Sequence, residues 1–319
     1  MYGEIMAILT AISFALSFVL ARRIQNEATP ILQNAIRSIV GFITFLIICL
    51  SFGVFFKMFS LPFLLILFLI MSISFTVILG DTAYLQSQKF LGPAKALAIT
   101  TTTPFFTILF AIFFLKHLVS IQMIFSGILI GIGVIIITKG ESNNFNNTKS
   151  NSLNSQMDNN QTDLIESRIP KTLKGTLWAL ITAISWAIGI ALSDYSINQV
   201  DQTLNLGVLS TMIAMMIRFL FASFSLSIIA AIEGIRTPIP RNRNTWSILI
   251  VSAILSYSIG SFFFGEAVHI AGATFVSLIS TAMPLFTIPF SYIINKERIS
   301  KVGFSGVIII LIGVFLLFI

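Results

Sequence analysis

The chain has 319 residues, of which 56% are apolar and 10% are charged, and its mean hydropathy is +0.97. This composition excludes an ordinary soluble domain and is typical of an integral membrane protein. The net charge of +7 does not indicate nucleic-acid binding, because the basic residues lie in short segments between apolar runs. The single cysteine, Cys49, excludes disulfides within the chain and cysteine-rich metal sites, and the two histidines are far apart. No metal or other cofactor is therefore expected.

Ten apolar segments are long enough to cross a bilayer, since a helical span needs about 20 residues. The apolar residues are continuous and do not alternate with period two, which favours helices over a β-barrel. The predicted spans are residues 4–21, 34–54, 61–82, 93–115, 119–138, 174–193, 206–232, 246–266, 272–294 and 301–319. No basic region precedes the first span, so it is interpreted as an uncleaved helix and not as a signal peptide.

A segment rich in asparagine and serine, residues 140–173, separates two sets of five spans. Its central part is nearly free of apolar residues and cannot bury enough surface to offset the entropy of ordering, so we predict a disordered linker. The chain is thus divided into half one (residues 1–139), the linker, and half two (residues 174–319).

The two halves carry the same features in the same order. In half one and half two respectively these are TAISFA at 10–15 and TAISWA at 182–187, Arg37 and Arg218, and the stretches 92–116 and 272–296. The two stretches are identical at nine of 25 positions, including Pro104 and Pro284. Because each half has an odd number of spans, the copies must be inverted relative to one another. A duplicated half with a proline-broken apolar helix in each copy is typical of a secondary transporter.

Lysine and arginine residues in the predicted loops fall mainly on one side of the membrane. Fifteen lie on one side, and only Lys57 and Lys116 lie on the other. The positive-inside rule makes the basic side cytoplasmic, which would place both termini outside and the linker in the cytoplasm.

These features resemble the drug/metabolite transporter superfamily, of the type built from two EamA repeats. The resemblance rests on the small-residue first spans, the two second-span arginines, and a fourth span with a glycine twelve residues before its proline. The family usually ends this span with Glu and a basic residue. Glu297–Arg298 fits, whereas half one has His117–Leu118.

The resemblance implies an all-α polytopic protein of the cell membrane, with ten transmembrane helices arranged as two inverted five-helix repeats. Helices 1, 3, 4, 6, 8 and 9 would line a central cavity. The implied function is alternating-access transport of a small organic solute, amino-acid-like or drug-like, with export favoured. Relatives are generally described with their termini inside, the reverse of what the loop charges indicate.

Pro104 and Pro284 each remove a backbone donor, so the fourth span of each half is predicted to bend. Nearby hydroxyl groups would satisfy the freed carbonyls or face a wet cavity. A kinked packing helix is the alternative. Trp186 is a further candidate, because an indole N–H within a membrane needs a partner. The predicted cavity residues are Ser13, Tyr84, Thr100, Thr101, Pro104, Ser185, Trp186, Arg218, Ser280, Thr281 and Pro284.

Arg218 lies midway along its span, where a charge costs about 2.5–3.5 kcal/mol. It is predicted to face the bundle interior, where a substrate carboxylate or phosphate, helix carbonyls or an acidic residue would be its partner. Arg37 lies near a span end and is predicted to snorkel to the interface. Among the acids, Asp81 and Glu266 are not duplicated, which favours facilitated or exchange transport. Glu266, one turn from His269, is the candidate if protons are coupled.

Two other classes of function are the alternatives to a solute carrier. A membrane-embedded enzyme would need a metal or acid cluster, which the sequence lacks, so no enzyme is expected. A lipid flippase or a scaffold on the same fold is the other alternative. A flippase would show a lateral opening between helices and a basic rim, whereas a solute carrier would have an enclosed polar cavity. The expected partners are a small-molecule solute and the lipid bilayer, with the protein a monomer or a homodimer. The sequence leaves open the substrate, the direction and the coupling ion.

Overall fold

A computed structural model describes residues 2–106, 171–234, 240–281, 283–297 and 300–316, together with a few positions between 125 and 136. Nearly all of the fifth predicted span and the linker up to residue 170 lie outside these residues. In the described part of the chain every regular element is a helix, and six helices are long and apolar enough to cross a membrane. The all-helical membrane class is therefore confirmed, whereas the count of ten spans stays a prediction.

The helices follow the predicted order. Half one contains α1 (Tyr2–Arg23), α2 (Pro30–Ser51), a short 3-10 helix (Phe55–Ser60), α3 (Phe63–Ile73), the π-helical segment π1 (Ser74–Asp81), α4 (Thr82–Leu91) and α5 (Pro93–Thr100). Half two contains α6 (Lys171–Leu204), α7 (Val208–Gly234), α8 (Arg243–Ala253), the π-helical segment π2 (Ile254–Gly260), α9 (Ser261–Ser280), α10 (Met283–Asn295) and α11 (Lys301–Leu316). The first residue of α6 lies three positions before the predicted start of half two.

The third span of each half is one long helix interrupted by a π-helical segment. The helical stretch Phe63–Leu91 runs nine residues beyond its predicted end. In half two the stretch that begins at Arg243 continues to a kink at Gly272, whose backbone is not helical. π1 and π2 begin at Ser74 and Ile254, which the 180-residue offset between the halves makes equivalent. Because a π-helical turn is rare and interrupts the regular hydrogen-bond ladder, a matched pair marks a shared structural feature of the repeat.

The fourth span is broken in both halves just before its proline. α5 ends at Thr100, Thr101 and Thr102 form a turn, and the helix resumes before Pro104. α9 ends at Ser280, and α10 begins at Met283, directly before Pro284. The predicted bends are thus confirmed. Each broken span follows a glycine at equivalent positions, Gly92 and Gly272, with φ of 81° and 80°, a conformation that side chains with a Cβ rarely adopt.

Equivalent helices of the two halves pack against each other in opposite directions. Thr29, the N-cap of α2, donates a hydrogen bond to Glu233 near the end of α7 (2.7 Å). Further along, Phe45 stacks on Phe219 with ring centroids 5.8 Å apart. α2 and α7 therefore run antiparallel, which is the arrangement that inverted repeats require.

The first span of each half packs against the third span of the other half. α1 lies along α8, π2 and α9, while α6 lies along α3, π1 and α4. Ser17 Oγ donates to the carbonyl of Ser252 (2.8 Å), and Ser87 Oγ donates to the carbonyl of Gly175 (2.8 Å). This reciprocal exchange brings π1 and π2 to the centre of the molecule, each beside the first helix of the opposite half.

Candidate functional site

A cavity of about 90 Å³ lies where the two halves meet. A water molecule needs only about 10–15 Å³ of such volume, so the cavity accommodates several waters or a small solute. Its lining is mainly apolar and aromatic, with hydroxyl groups from the broken fourth spans and one arginine, Arg218. A largely apolar wall with a few placed polar groups is typical of a small-molecule site.

Eight of the predicted site residues line this cavity. They are Asp81, Thr100, Thr101, Pro104, Trp186, Arg218, Ser280 and Thr281. The other five, Ser13, Tyr84, Ser185, Pro284 and Glu266, are outside the lining. Tyr84 is buried behind Trp186, with ring centroids 5.8 Å apart, and its hydroxyl donates to the carbonyl of Pro93 (3.1 Å). Glu266 is buried on α9, 1% exposed.

The helices that line the cavity include all six that the family resemblance implies. The seventh predicted span adds to them, because α7 contributes Met215, Arg218 and Phe219. Its equivalent in half one, α2, contributes none of the lining residues among the described positions. The two halves thus differ at their second spans, and the difference centres on the two arginines.

Arg37 is completely buried, and the prediction that it snorkels to the interface is wrong. Its Nε donates to Ser256 Oγ (3.1 Å), Nη1 to Asn34 Oδ1 (3.1 Å) and Nη2 to Ser17 Oγ (3.2 Å). Its guanidinium also lies 4.4 Å from the ring centroid of Tyr257. The reason is the start of the helix: α2 begins at Pro30, four residues earlier than predicted, so Arg37 lies two turns inside it.

Asp81 provides the negative charge next to this cluster. Its carboxylate accepts a hydrogen bond from the Tyr257 hydroxyl (2.5 Å) and another from Trp186 Nε1 (2.9 Å). Tyr257 therefore lies between the Arg37 guanidinium and the Asp81 carboxylate and contacts both. Trp186 Nε1 also donates to the carbonyl of Thr76 (3.1 Å), which provides the partners that its indole was predicted to need. We call Arg37 with these neighbours the Arg37 site.

Arg218 has far fewer partners. Its Nη2 donates to Thr76 Oγ1 (3.2 Å), and its Nη1 approaches the thioether sulfur of Met215 (3.4 Å), a weak acceptor. Its Nε has no hydrogen-bond partner, and within the described residues no carboxylate forms an ion pair with it. Its guanidinium carbon also lies 5.8 Å from the centroid of the Phe264 ring. Arg218 is 2% exposed, so a cation that has no carboxylate partner among the described residues is buried at the cavity wall. We call Arg218 with its neighbours the Arg218 site.

Each arginine reaches across to the π-helical segment of the opposite half. Arg37 of half one contacts Ser256 in π2, and Arg218 of half two contacts Thr76 in π1. Ser256 and Thr76 are equivalent at the 180-residue offset. The two arginine sites are therefore related by the internal repeat, and their differences can be compared residue by residue.

Ionic contacts lie at the two ends of the molecule. Arg22, at the end of α1, donates to Glu297 (2.7 Å) and also contacts Gln25 and the carbonyl of Gln88. At the other end, His269 contacts Asp201 (3.1 Å). The charge pattern predicts that the loops after spans one, three and nine lie on the same side of the membrane. Arg22, Gln88 and Glu297, which lie at the ends of these three spans, are in contact, in agreement with that prediction.

Comparison with known proteins agrees with this architecture. No curated protein matches the sequence. A protein of known crystal structure, 15% identical, superposes with a TM-score of 0.61 over 98% of this chain and 94% of that chain, which shows a shared fold. The sequence model of the EamA-like transporter family matches residues 1–139 and 173–319, almost the whole chain outside the predicted linker. The chain therefore belongs to the EamA-like transporter family.

Proposed function

We propose that this protein is a secondary transporter that moves a small organic solute across the cytoplasmic membrane by alternating access, with export the favoured direction. The observation that carries the proposal is the cavity between the two halves, lined by a π-helical segment and a broken span from each half. Paired helix interruptions at a repeat interface are typical of transporter substrate sites. Irregular backbone at membrane depth is tolerated where it lines such a cavity.

In this mechanism two inverted five-helix repeats rock around a central site. The breaks before Pro104 and Pro284 supply the points where each fourth span changes direction. Asp81 and Glu266 are the carboxylates through which protons would be coupled. Asp81 is at the cavity wall and hydrogen-bonded, whereas Glu266 lies behind the wall beside Thr211 and is the better placed to change protonation without disturbing the Arg37 site.

A lipid flippase on the same fold receives less support. A flippase that handles anionic headgroups needs a basic rim, whereas among the described lining residues Arg218 is the only cation. A cavity of about 90 Å³ suits a small solute better than a lipid headgroup with its acyl chains.

The test is a transport screen in proteoliposomes with amino acids, sugars, nucleotides and cationic drugs. For any solute that is carried, Pro104→Ala and Pro284→Ala are expected to lower the initial rate by about tenfold or more, since a restored helical hydrogen bond straightens the interrupted span. Pro289→Ala is the matched control, because Pro289 lies inside α10 and away from the cavity lining. Unchanged transport by both proline variants, or no transported solute at all, would contradict the proposal.

A further inference from the structure

The internal repeat allows the Arg218 site to be compared with a complete counterpart. In the Arg37 site each of the three guanidinium nitrogens donates a hydrogen bond. The repeat supplies an equivalent position in the Arg218 site for each of these neighbours. The first spans are matched at TAISFA and TAISWA, the second spans at Arg37 and Arg218, and the third spans at the 180-residue offset. From the Arg37 site to the Arg218 site, the replacements are then Ser17 by Gly189, Asn34 by Met215, Tyr257 by Val77, Asp81 by Ser261 and Ser256 by Thr76. The Ser256/Thr76 pair keeps its hydroxyl hydrogen bond to the arginine, and the Asn34/Met215 pair keeps only a weak contact, to sulfur in place of oxygen.

Compared with Arg37, the buried Arg218 cation therefore lacks three kinds of polar neighbour. Gly189 has no hydroxyl, Met215 offers sulfur in place of an amide oxygen, and Ser261 carries no charge where Asp81 carries one. An uncompensated charge is costly in a low-dielectric interior, and ionisable groups within membranes pair with each other or with what passes through. Among the described residues, the partners of Arg218 are Thr76, the Met215 sulfur and the face of the Phe264 ring. None of them is anionic, so a ligand is the remaining source of a counter-charge.

The replacements also open space at the corresponding point. Tyr257 fills the region between Arg37 and Asp81, whereas Val77 is much smaller and Ser261 is shorter than Asp81. Val77, Arg218 and Ser261 all line the central cavity. The cavity therefore extends into the place that, in the Arg37 site, is filled by a phenol ring and a carboxylate.

We propose that the transported solute is a small organic acid whose carboxylate occupies the place in the Arg218 site that corresponds to the Asp81 carboxylate in the Arg37 site. Arg218 supplies the charge, and Ser261, the repeat equivalent of Asp81, lines the same cavity. The apolar body of the solute packs against Phe14, Phe264 and Met215, which line the same cavity. This inference deepens the proposed transport function and rests on it.

A carboxylate fits better than a phosphate for two reasons. A phosphate monoester carries between one and two negative charges near neutral pH, and among the described lining residues Arg218 is the only cation to balance them. In addition, the Arg37 site already shows a carboxylate held at the equivalent point, by a tyrosine and a tryptophan beside the arginine.

Binding is tested on the purified full-length protein in detergent, by the shift in thermal unfolding midpoint as ligand is titrated. The probes are isovalerate with its neutral amide isovaleramide, leucine with leucinamide, which lacks the carboxylate but keeps the charged amine, and sodium chloride and sodium phosphate at equal ionic strength. At least one of the two carboxylates is expected to raise the midpoint, and its amide is not. A shift by the amides equal to that of the acids would overturn the proposal, and so would a shift by chloride or phosphate alone.

Substitutions at two positions, Arg218 and Ser261, show where the carboxylate binds. Arg218→Met is expected to weaken carboxylate binding by at least about 30-fold, because it removes the buried cationic partner, and Arg218→Lys is expected to restore part of it. Ser261→Asp introduces the carboxylate that the Arg37 site has, and it is expected to compete with the ligand in place. Ser261→Asn is the size-matched neutral comparison, so the excess loss in Ser261→Asp isolates the charge. Equal losses in Asp and Asn variants would contradict the placement.

Transport measurements distinguish the proposal of a carboxylate substrate from the transport function on which it rests. If proteoliposomes carry a neutral or cationic solute and Arg218→Met leaves that rate unchanged, the protein is a transporter but not one for carboxylates. If no solute is carried, the transport function fails, while the midpoint shifts still report whether Arg218 holds an anion.

Discussion

The guanidinium of Arg37 donates three hydrogen bonds to oxygen atoms and lies 4.4 Å from the Tyr257 ring centroid. That of Arg218 donates one hydrogen bond to oxygen and one to sulfur, and it lies 5.8 Å from the Phe264 ring centroid. The same residue type at equivalent positions therefore has two different roles. Arg37, with Asp81 beyond Tyr257, holds elements of both halves together. Arg218 contributes little to that purpose and is available to a ligand.

Stability measurements should separate the two arginines. Arg37→Met is expected to lower the free energy of unfolding by on the order of 3 kcal/mol, because it leaves Asp81 as an uncompensated buried charge. Arg218→Met is expected to cost much less, since this arginine has few partners to lose. The check is thermal unfolding of both variants in the same detergent. Equal losses of stability would show that Arg218 is a structural residue like Arg37.

At this scale the sequence predicted a good part of the site. The hydroxyls around Pro104 and Pro284 were recognisable because proline interrupts a helix in a known way, and Trp186 because its indole N–H needs a partner. Arg37 was misjudged because hydropathy placed the start of its span four residues late, and a span end makes snorkelling plausible. The role of Tyr257 depends on contacts between helices far apart in sequence, which no local pattern shows.

The π-helical segments are the elements that shape the cavity. π1 carries Thr76, Val77 and Asp81, and π2 carries Tyr257, so both arginine sites are built on them. Hydropathy could not reveal them, because a π-helical turn changes the hydrogen-bond ladder without changing how apolar the residues are. Hydropathy also predicts the end of the third span too early, because the helix continues through polar residues such as Ser87. The Ser87 hydroxyl donates a hydrogen bond to α6.

Close packing of α6 on π1 gives a test at the level of the element. A Cβ on Gly189 would lie 2.5 Å from the Thr76 methyl group and 2.8 Å from the Thr76 backbone nitrogen. Gly189→Ala is therefore expected to lower the free energy of unfolding by about 1–3 kcal/mol through overpacking. Gly234→Ala is the control, since nothing lies within 4 Å of a Cβ there. If thermal unfolding shows the two variants equally stable, α6 and π1 are not packed this tightly.

On the scale of the whole molecule, the sequence predicted the duplication and its inversion from the odd number of spans. The antiparallel packing of α2 and α7 agrees with that inversion. The orientation in the membrane is a separate question, since a pair of inverted repeats is compatible with either direction. Loop charges favour termini outside, whereas the family resemblance implies termini inside.

Cysteine labelling in intact cells decides the orientation. Cys49 is fully buried, so the unmodified protein is expected to resist a membrane-impermeant maleimide. Ser60 and Asn244 are exposed near opposite ends of the molecule. If the loop charges set the orientation, Ser60→Cys is labelled in intact cells and Asn244→Cys only after permeabilisation. The reverse pattern would place the termini inside.

The Arg22–Glu297 ion pair and the Asp201–His269 contact lie at opposite ends, separated by about 40 Å along α6 at 1.5 Å per residue. Both contacts are formed in this structure. Under the proposed alternating-access mechanism the solute path would open at one end at a time, so the contact at the open end would break while the other stays formed. Both are partly exposed, so each contributes at most about 1 kcal/mol, or a fivefold change in the resting ratio. Salt or charge changes on one face of the membrane would thus bias which face the empty carrier presents.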